Sequence, residues 1–397
     1  MAGNKFSFAF AECVMRRIAM FLISSLATAG FATTTNYVWM DAPGKPRDGS
    51  DWLHAYTEIN PALQSRDTVT FIAPSLTGAS YAPFQFKARE NGRTNWLFRA
   101  TTNEHGTPIG WDPRLGAAAN QVVVYGQNSI GTSRLIVDGK FRDESIPGFS
   151  WSNILSYGIW FRCDNPAAHI VDLNPDAGYG STQDHIRFEH CAIGGTNGAG
   201  PAGTAPAACF YQGIIGQRTD LQLIRCYIGN AINGALTRNG SSNILMYSWC
   251  GPSYDKEFWS FQAAPGFSCN DWLIASNVVC DTGASPVTGG AQTCAFGGFS
   301  LSPPAEHIQR TRIIYNAFVN TGKITVGYAD GIVELGDLNH SPAMYASNCI
   351  VANNTYCDIP GQNGFIAQVP SANTVSNNVQ HSTIASAIGA IFNPPPQ

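Results

Sequence analysis

Three stretches decide the fold: Asn277-Val278-Val279-Cys280-Asp281-Thr282-Gly283, Asn316-Ala317-Phe318-Val319-Asn320-Thr321-Gly322 and Asn354-Thr355-Tyr356-Cys357-Asp358-Ile359-Pro360. They share a template of one Asn, three strand-type residues and a turn. Each follows a short apolar strand, at Trp272 to Ala275, Arg312 to Tyr315 and Cys349 to Ala352. An earlier pair matches in the same way, His185-Ile186-Arg187-Phe188-Glu189-His190-Cys191-Ala192-Ile193-Gly194 against Asp220-Leu221-Gln222-Leu223-Ile224-Arg225-Cys226-Tyr227-Ile228-Gly229. With further strands at Asn243 to Tyr247 and Asn373 to Val379, the offsets run 35, 23, 28, 39, 38 and about 24 residues. No helical period of useful length lies between these strands, which excludes βαβ units. Short alternating strands that return at such intervals read as coils of a parallel β-helix. Insertions such as Gly195 to Ala208 then occupy corner loops while the strands keep register.

In that frame Asn277, Asn316 and Asn354, joined by Asn378, form a structural ladder. An Asn at a strand-to-strand corner tolerates the left-handed region, and its amide can bond to the coils above and below. Coils stacked about 4.8 Å apart lie within disulfide reach and next-but-one coils do not. Ten of the 11 cysteines fall between Cys163 and Cys357. Cys191 and Cys226 are equivalent positions on adjacent coils, where a disulfide, a free-thiol stack or plain apolar packing all fit. Cys280 and Cys357 have the Val319 coil between them and are not expected to pair. No close CxxC pairs mark a zinc ribbon.

Composition agrees with a solenoid. The chain has 397 residues, 44% hydrophobic and 13% charged, and its 40 Gly and 23 Pro together outnumber its charged residues. An ordinary soluble domain carries about 25% charge. Disorder and coiled coils are thereby excluded. A net charge of −4 without a Lys/Arg cluster argues against nucleic acid as a partner. A repeat protein can grow along its axis from one core, so this length need not mean several domains.

Met15-Arg16-Arg17, the apolar Ile18 to Ile23 and a small-residue end at Ala27 to Ala32 have the layout of an export signal. The apolar run is shorter than the roughly 20 residues a membrane span needs. The expected organisation is an N-terminal extension and signal peptide over 1–32 and a single domain over 33–397. Within that domain, 33–75 would hold the cap and first strands and 381–397 a C-terminal tail. A secreted, periplasmic or cell-surface protein with no membrane span after signal removal follows.

The first half carries a resemblance. Tyr37-Val38, the Asp41 to Gly49 loop, a short helix within Asp51 to Leu63, Arg66-Asp67-Thr68-Val69, Ala73-Pro74 followed by Tyr81, and Val137-Asp138-Gly139 come in a telling order. In this order the chain resembles the secreted right-handed parallel β-helix proteins of the pectate-lyase-like superfold. The resemblance implies a short N-terminal capping helix over the open end of the solenoid, whose strand edges need cover. It also implies action on, or binding to, extracellular polysaccharide, with lyase chemistry that often uses calcium. The acids are scattered over several coils, so their spacing defines no calcium site. The polygalacturonase and pectate lyase signatures are absent.

Two local constellations remain. Asp255-Lys256-Glu257 sits between Tyr254 and Phe258-Trp259, with Trp249 nearby. The charges could transfer protons while Trp249 and Trp259 stack on sugar, or they could pair with one another in a solvated loop. The second is Asp330, Glu334, Asp337 and His340 within Tyr328 to His340, where Glu334 would join the catalytic set, with Asp337 and His340 as substrate contacts, if Glu334 faces a groove rather than solvent. Asp138, followed by Gly139, reads as a turn former. The expected function is a polysaccharide lyase or glycoside hydrolase. The alternative is a non-catalytic, adhesin-like surface protein that self-assembles into an oligomer.

Overall fold

A computed structural model describes residues 34–392 except 64–67, 87–93, 132–133, 174–181, 184, 197–207, 213–216, 219, 238–239, 255–257, 262–267, 281–294, 299–306, 320–331, 336–344, 358–365 and 368–372. The expected leader therefore lies outside the described residues. Three long parallel sheets wrap one core in a right-handed β-helix. Sheet I has 11 strands, from Thr34–Val38 to Thr374–Ser376, and sheets II and III have nine each. A representative coil runs from Ile186–Glu189 in sheet I to Cys191–Gly194 in sheet II and Ala208–Gln212 in sheet III, then returns to sheet I at Leu221–Ile224.

The repeat read from the sequence is the register of sheet I. Ile186 pairs with Leu221, Ile244 with Leu273, Leu273 with Arg312 and Arg312 with Ile350, all parallel. Side chains stack on their equivalents one coil away. Phe188, Leu223, Leu245, Ile274, Ile313 and Val351 form one inward row, each no more than 1% exposed. Aromatic edges fill the wider part of the core, where Phe188 meets Phe161 and Phe210 at centroid distances of 5.6 and 5.4 Å.

From the coil of Ile186–Glu189 onward, one residue makes each described corner between sheets I and II. His190, Arg225, Tyr247, Ser276, Tyr315 and Asn353 all hold φ between 51° and 56°. The left-handed residue is thus the one before each ladder asparagine, which corrects the expectation that the asparagine itself takes that conformation. The physical reason is direction: the residue after the bend is the first to turn inward, and Asn277, Asn316 and Asn354 are fully buried. The ladder is continuous. Asn277 Nδ2 donates to Asn316 Oδ1 at 3.0 Å, Asn316 Nδ2 to Asn354 Oδ1 at 3.1 Å, and Asn354 Nδ2 to Asn378 Oδ1 at 2.9 Å. Each oxygen also accepts the backbone N–H of the preceding ladder residue.

The thiols stay free, and all nine described cysteines are buried. Cys191 Sγ lies 3.1 Å from the Glu189 carbonyl and Cys226 Sγ 3.4 Å from that of Phe188. Burial pushes the Cys226 thiol up to about 12, so it acts as a small apolar filler. Val319 sits in register between Cys280 and Cys357, as the spacing requires.

The N-terminal capping helix is largely absent. Between Asp51 and Leu63 only Ile59–Ala62 is helical, and Pro61 sits inside that single turn. Packed turns cover this end instead, with Trp52 fully buried and its Nε1 donating to the His105 carbonyl at 2.9 Å. The nine-residue helix of the described chain is Ile384–Phe392, in the segment expected as a tail. It lies on the outer face of sheet II against Val278, Ala317, Val319 and Cys357. Thr355 Oγ1 donates to the Ala387 carbonyl there at 2.7 Å.

The ladder makes a stability prediction. Asn316→Ala orphans buried donors and acceptors on two coils and should cost about 2–4 kcal/mol, whereas Asn377→Ala at an exposed corner should cost about 1 kcal/mol or less. Equal shifts in urea midpoint for the two variants would show that the ladder is not a stabilising unit.

Candidate functional site

Asp138 ends one strand of sheet I, and Glu189 ends the next strand in register with it. Alternation turns Leu135, Val137, Ile186 and Phe188 inward and therefore Asp138 and Glu189 outward. Two carboxylates stacked on adjacent coils repel. The structure answers with cations. Arg187 bonds to Glu189, and Arg225 Nη1 reaches Glu189 Oε1 at 3.2 Å. His190 Nδ1 lies 2.9 Å from Asp138 Oδ1. Lys140 Nζ stands 3.6 Å from Asp138 Oδ2 and 3.0 Å from Glu104 Oε2, with its charge 3.9 Å over the Phe98 ring. Burial acts to raise the Asp138 pKa, but the hydrogen bond and charge of His190, with Lys140, outweigh it and hold the carboxyl below its ordinary value.

Asp138 does form the expected turn, since it accepts the Lys140 N–H at 2.7 Å. That turn starts a long loop between sheets I and II. The loop leaves at Gly139 and returns at Gly158, and both glycines are forced. A Cβ on Gly139 would strike the His190 carbonyl, and one on Gly158 would strike that of Gly139.

A buried guanidinium organises the loop. Arg142 stacks 3.8 Å over the Trp151 ring, donates to Glu144 Oε1 at 2.7 and 2.9 Å, and bonds to the Tyr247 carbonyl. Trp151 Nε1 donates to Glu144 Oε2 at 2.9 Å, which closes the unit. The Trp151 ring meets Phe392 of the C-terminal helix edge-on at 4.7 Å. Between this loop and the corner row lies a groove of about 520 Å³, lined by Lys140, Trp151, His190, Arg225, Tyr247 and Phe392 among others.

The structure describes only some of the candidates read from the sequence. Asp255, Lys256, Glu257, Asp337 and His340 lie outside the described residues. The backbone of Glu334 pairs with Gly297 and Ala367 in sheet III, and its side chain is likewise outside the description. Its neighbours Ile332, Val333 and Leu335 are all fully buried. Trp259 is not a stacking surface: it is 1% exposed, and its Nε1 donates to Thr237 Oγ1 at 3.0 Å inside the core. Trp249 is half-buried and packs against the core clusters on either side of it. Asp138, His190, Glu189, Lys140 and Arg225 were missed as a group because they gather from three coils. The only signal was that the aligned segments ending at Gly194 and Gly229 set His190 and Arg225 at one position.

No protein-family model matches the chain, and no curated protein sequence matches it. Among solved structures, pectate lyase Pel9A aligns over 90% of this chain and 80% of its own, with a TM-score of 0.50 at 11% identity. A rhamnogalacturonan lyase aligns over 87% of both chains at 10% identity with a TM-score of 0.37. A lacto-N-biosidase from Eubacterium ramulus aligns over 88% of this chain and 68% of its own, at 11% identity and a TM-score of 0.30. At these identities the likeness is one of fold. By its fold the chain is a pectate-lyase-like right-handed parallel β-helix.

Proposed function

We propose that the groove binds an anionic polysaccharide and cleaves it by β-elimination, with His190 as the base. The observation that carries this reading is the His190–Asp138 contact at the edge of a groove rimmed by Lys140 and Arg225. An ionised Asp138 accepts from Nδ1–H, which leaves Nε2, 4.0 Å from Glu189 Oε1, as the nitrogen that would accept a proton. Arg225, with 41% of its side chain exposed, and Lys140 would face a uronate carboxylate and stabilise the charge that develops beside it. Nε2 takes the C5 proton, the C4–O bond breaks as C4=C5 forms, and the imidazolium returns the proton to the leaving oxygen. The fold likeness to a pectate lyase supports a polysaccharide as partner.

Hydrolysis is the weaker fit. Asp138 and Glu189 are close enough for the two-carboxylate geometry of a retaining glycosidase, but such an acid must hold its proton at neutral pH. Asp138 is pulled in the opposite direction, and Glu189 is held by two arginines. Calcium does not fit this cluster either. Asp138, Glu189 and His190 converge within 4.8 Å, but calcium takes oxygen ligands, and Lys140, Arg187 and Arg225 already balance the two carboxylates. No helix among the described residues is long and apolar enough to cross a membrane, and export remains the reading of the leader sequence.

Incubation with polygalacturonate and alginate should release unsaturated ends, read by their ultraviolet absorbance. His190→Ala should lower that rate at least about 100-fold. Binding without any cleavage of either polymer would point to the non-catalytic surface protein instead. The depressed Asp138 pKa gives a second outcome. A carboxyl lowered on folding stabilises the protein above its unfolded value, near pH 3.9, and that stability is lost as pH falls through the folded value. Asp138→Asn should therefore be less stable than wild type at neutral pH and lose less on acidification below about pH 4. Parallel urea midpoints for the two proteins across that range would contradict the ion-pair assignment.

A further inference from the structure

Two segments cover the outer face of sheet II. The 139–158 loop lays Ile154 and Tyr157 over Ala192 and Tyr227, and the Ile384–Phe392 helix lays Ala387 and Ile388 over Val278, Ala317 and Val319. Trp249 packs against both groups, so the two segments form one continuous layer. They also touch each other. The Trp151 ring meets Phe392 edge-on, with 77° between the planes. A Cβ on Gly148 would stand 2.6 Å from Ile388 Cγ2 and 3.0 Å from Phe392 Cδ2, so the loop backbone presses directly on the helix.

The helix has nine residues, too few to hold together in water without docking. It is held by Ala387 and Ile388, both buried on sheet II, by the Thr355 hydroxyl on the Ala387 carbonyl, and by Phe392 on Trp151. Thr383 Oγ1 accepts the Ser386 N–H at 3.1 Å at its start. Gly389 weakens it from within, and a Cβ there would meet nothing within 4 Å, so no packing requires the glycine. The far end of the helix reaches the groove. Phe392 lines it beside Trp151, Arg142 and Tyr247. Contacts run inward from there: the Phe392 ring bears on Trp151, the Trp151 ring on the Arg142 guanidinium, and Arg142 on the Tyr247 carbonyl.

We infer that Phe392 is a positioning residue of the groove: the docked C-terminal helix holds Trp151 against Arg142 and so fixes the wall across from His190 and Arg225. Without that contact the wall loosens, while His190 keeps its Asp138 partner, which belongs to the solenoid and to its corner. Ligand binding then suffers and proton transfer does not. The inference rests on the elimination reading for its kinetic readout alone, and its structural readout needs no ligand.

Hydrogen–deuterium exchange on the full chain reads the structural part. Phe392→Ala should speed exchange about tenfold over 140–157 and over the helix, and leave the strands Leu273–Ala275 and Arg312–Ile314 unchanged. Phe392→Tyr keeps the edge-on ring and should match wild type. Gly389→Ala, which favours the helix about fivefold, should slow exchange over both segments. Kinetics on polygalacturonate and alginate read the functional part. Phe392→Ala should raise KM about tenfold and hold kcat within about twofold, and Phe392→Tyr should restore the wild-type KM. Exchange over 140–157 that ignores Phe392→Ala, or that rises equally in the two strands, overturns the inference, as does a fall in kcat at unchanged KM. Faster loop exchange in Phe392→Ala together with no cleavage by wild type overturns the elimination reading and leaves the positioning role standing.

Discussion

Every side chain in this molecule must tolerate its own equivalent, or something close to it, about 4.8 Å away along the axis. That single constraint shapes the rest. Apolar rows such as Phe188, Leu223, Leu245 and Ile274 satisfy it by packing. Asparagines satisfy it because an amide both donates and accepts, so a column of identical residues bonds to itself. Buried thiols satisfy it by staying neutral. Charges do not, and a chain with only 13% charged residues follows from the architecture rather than from any partner.

The stacked pair Asp138 and Glu189 stands out against that background. Two like charges in register are the arrangement a solenoid avoids, and this one takes Lys140, Arg187, Arg225 and His190 to hold it. Dense charge in a low-charge scaffold is costly to assemble unless the assembled field is used. The corner conformation adds to this, because the left-handed bend sets His190 and Arg225 directly beside the carboxylates they serve.

Much of the fold was legible in the sequence because stacking copies a pattern along the chain. The Asn template at 277, 316 and 354 announced both the coil and its ladder, and the His185 and Asp220 segments announced their register. The corner was misplaced by one residue, since tolerance of the left-handed region pointed to Asn while burial was what the asparagine supplied. The cap was misjudged because Asp51 to Leu63 has an amphipathic pattern, yet Pro61 and the turn in which Asp51 accepts the His54 N–H leave room for a single helical turn. The site was hidden for a different reason. Charges adjacent in sequence, such as Asp255 to Glu257, draw the eye, whereas a solenoid makes neighbours of residues a whole coil apart. Asp138 and His190 are 52 positions apart and 2.9 Å from contact partner to contact partner.

The glycine pair at the base of the long loop has a consequence for how such a protein can change. Gly139 and Gly158 bring the chain out and back through one narrow neck, and the coils on either side stack as though nothing had been inserted. What the loop contains meets the solenoid at a few places, chiefly the Tyr247 carbonyl, Phe392 and the outer face of sheet II at Ala192 and Tyr227, and none of these is in the asparagine ladder. A lineage could replace Arg142, Glu144 and Trp151 wholesale, and so refit one wall of the groove to another ligand, without disturbing a single rung of the ladder.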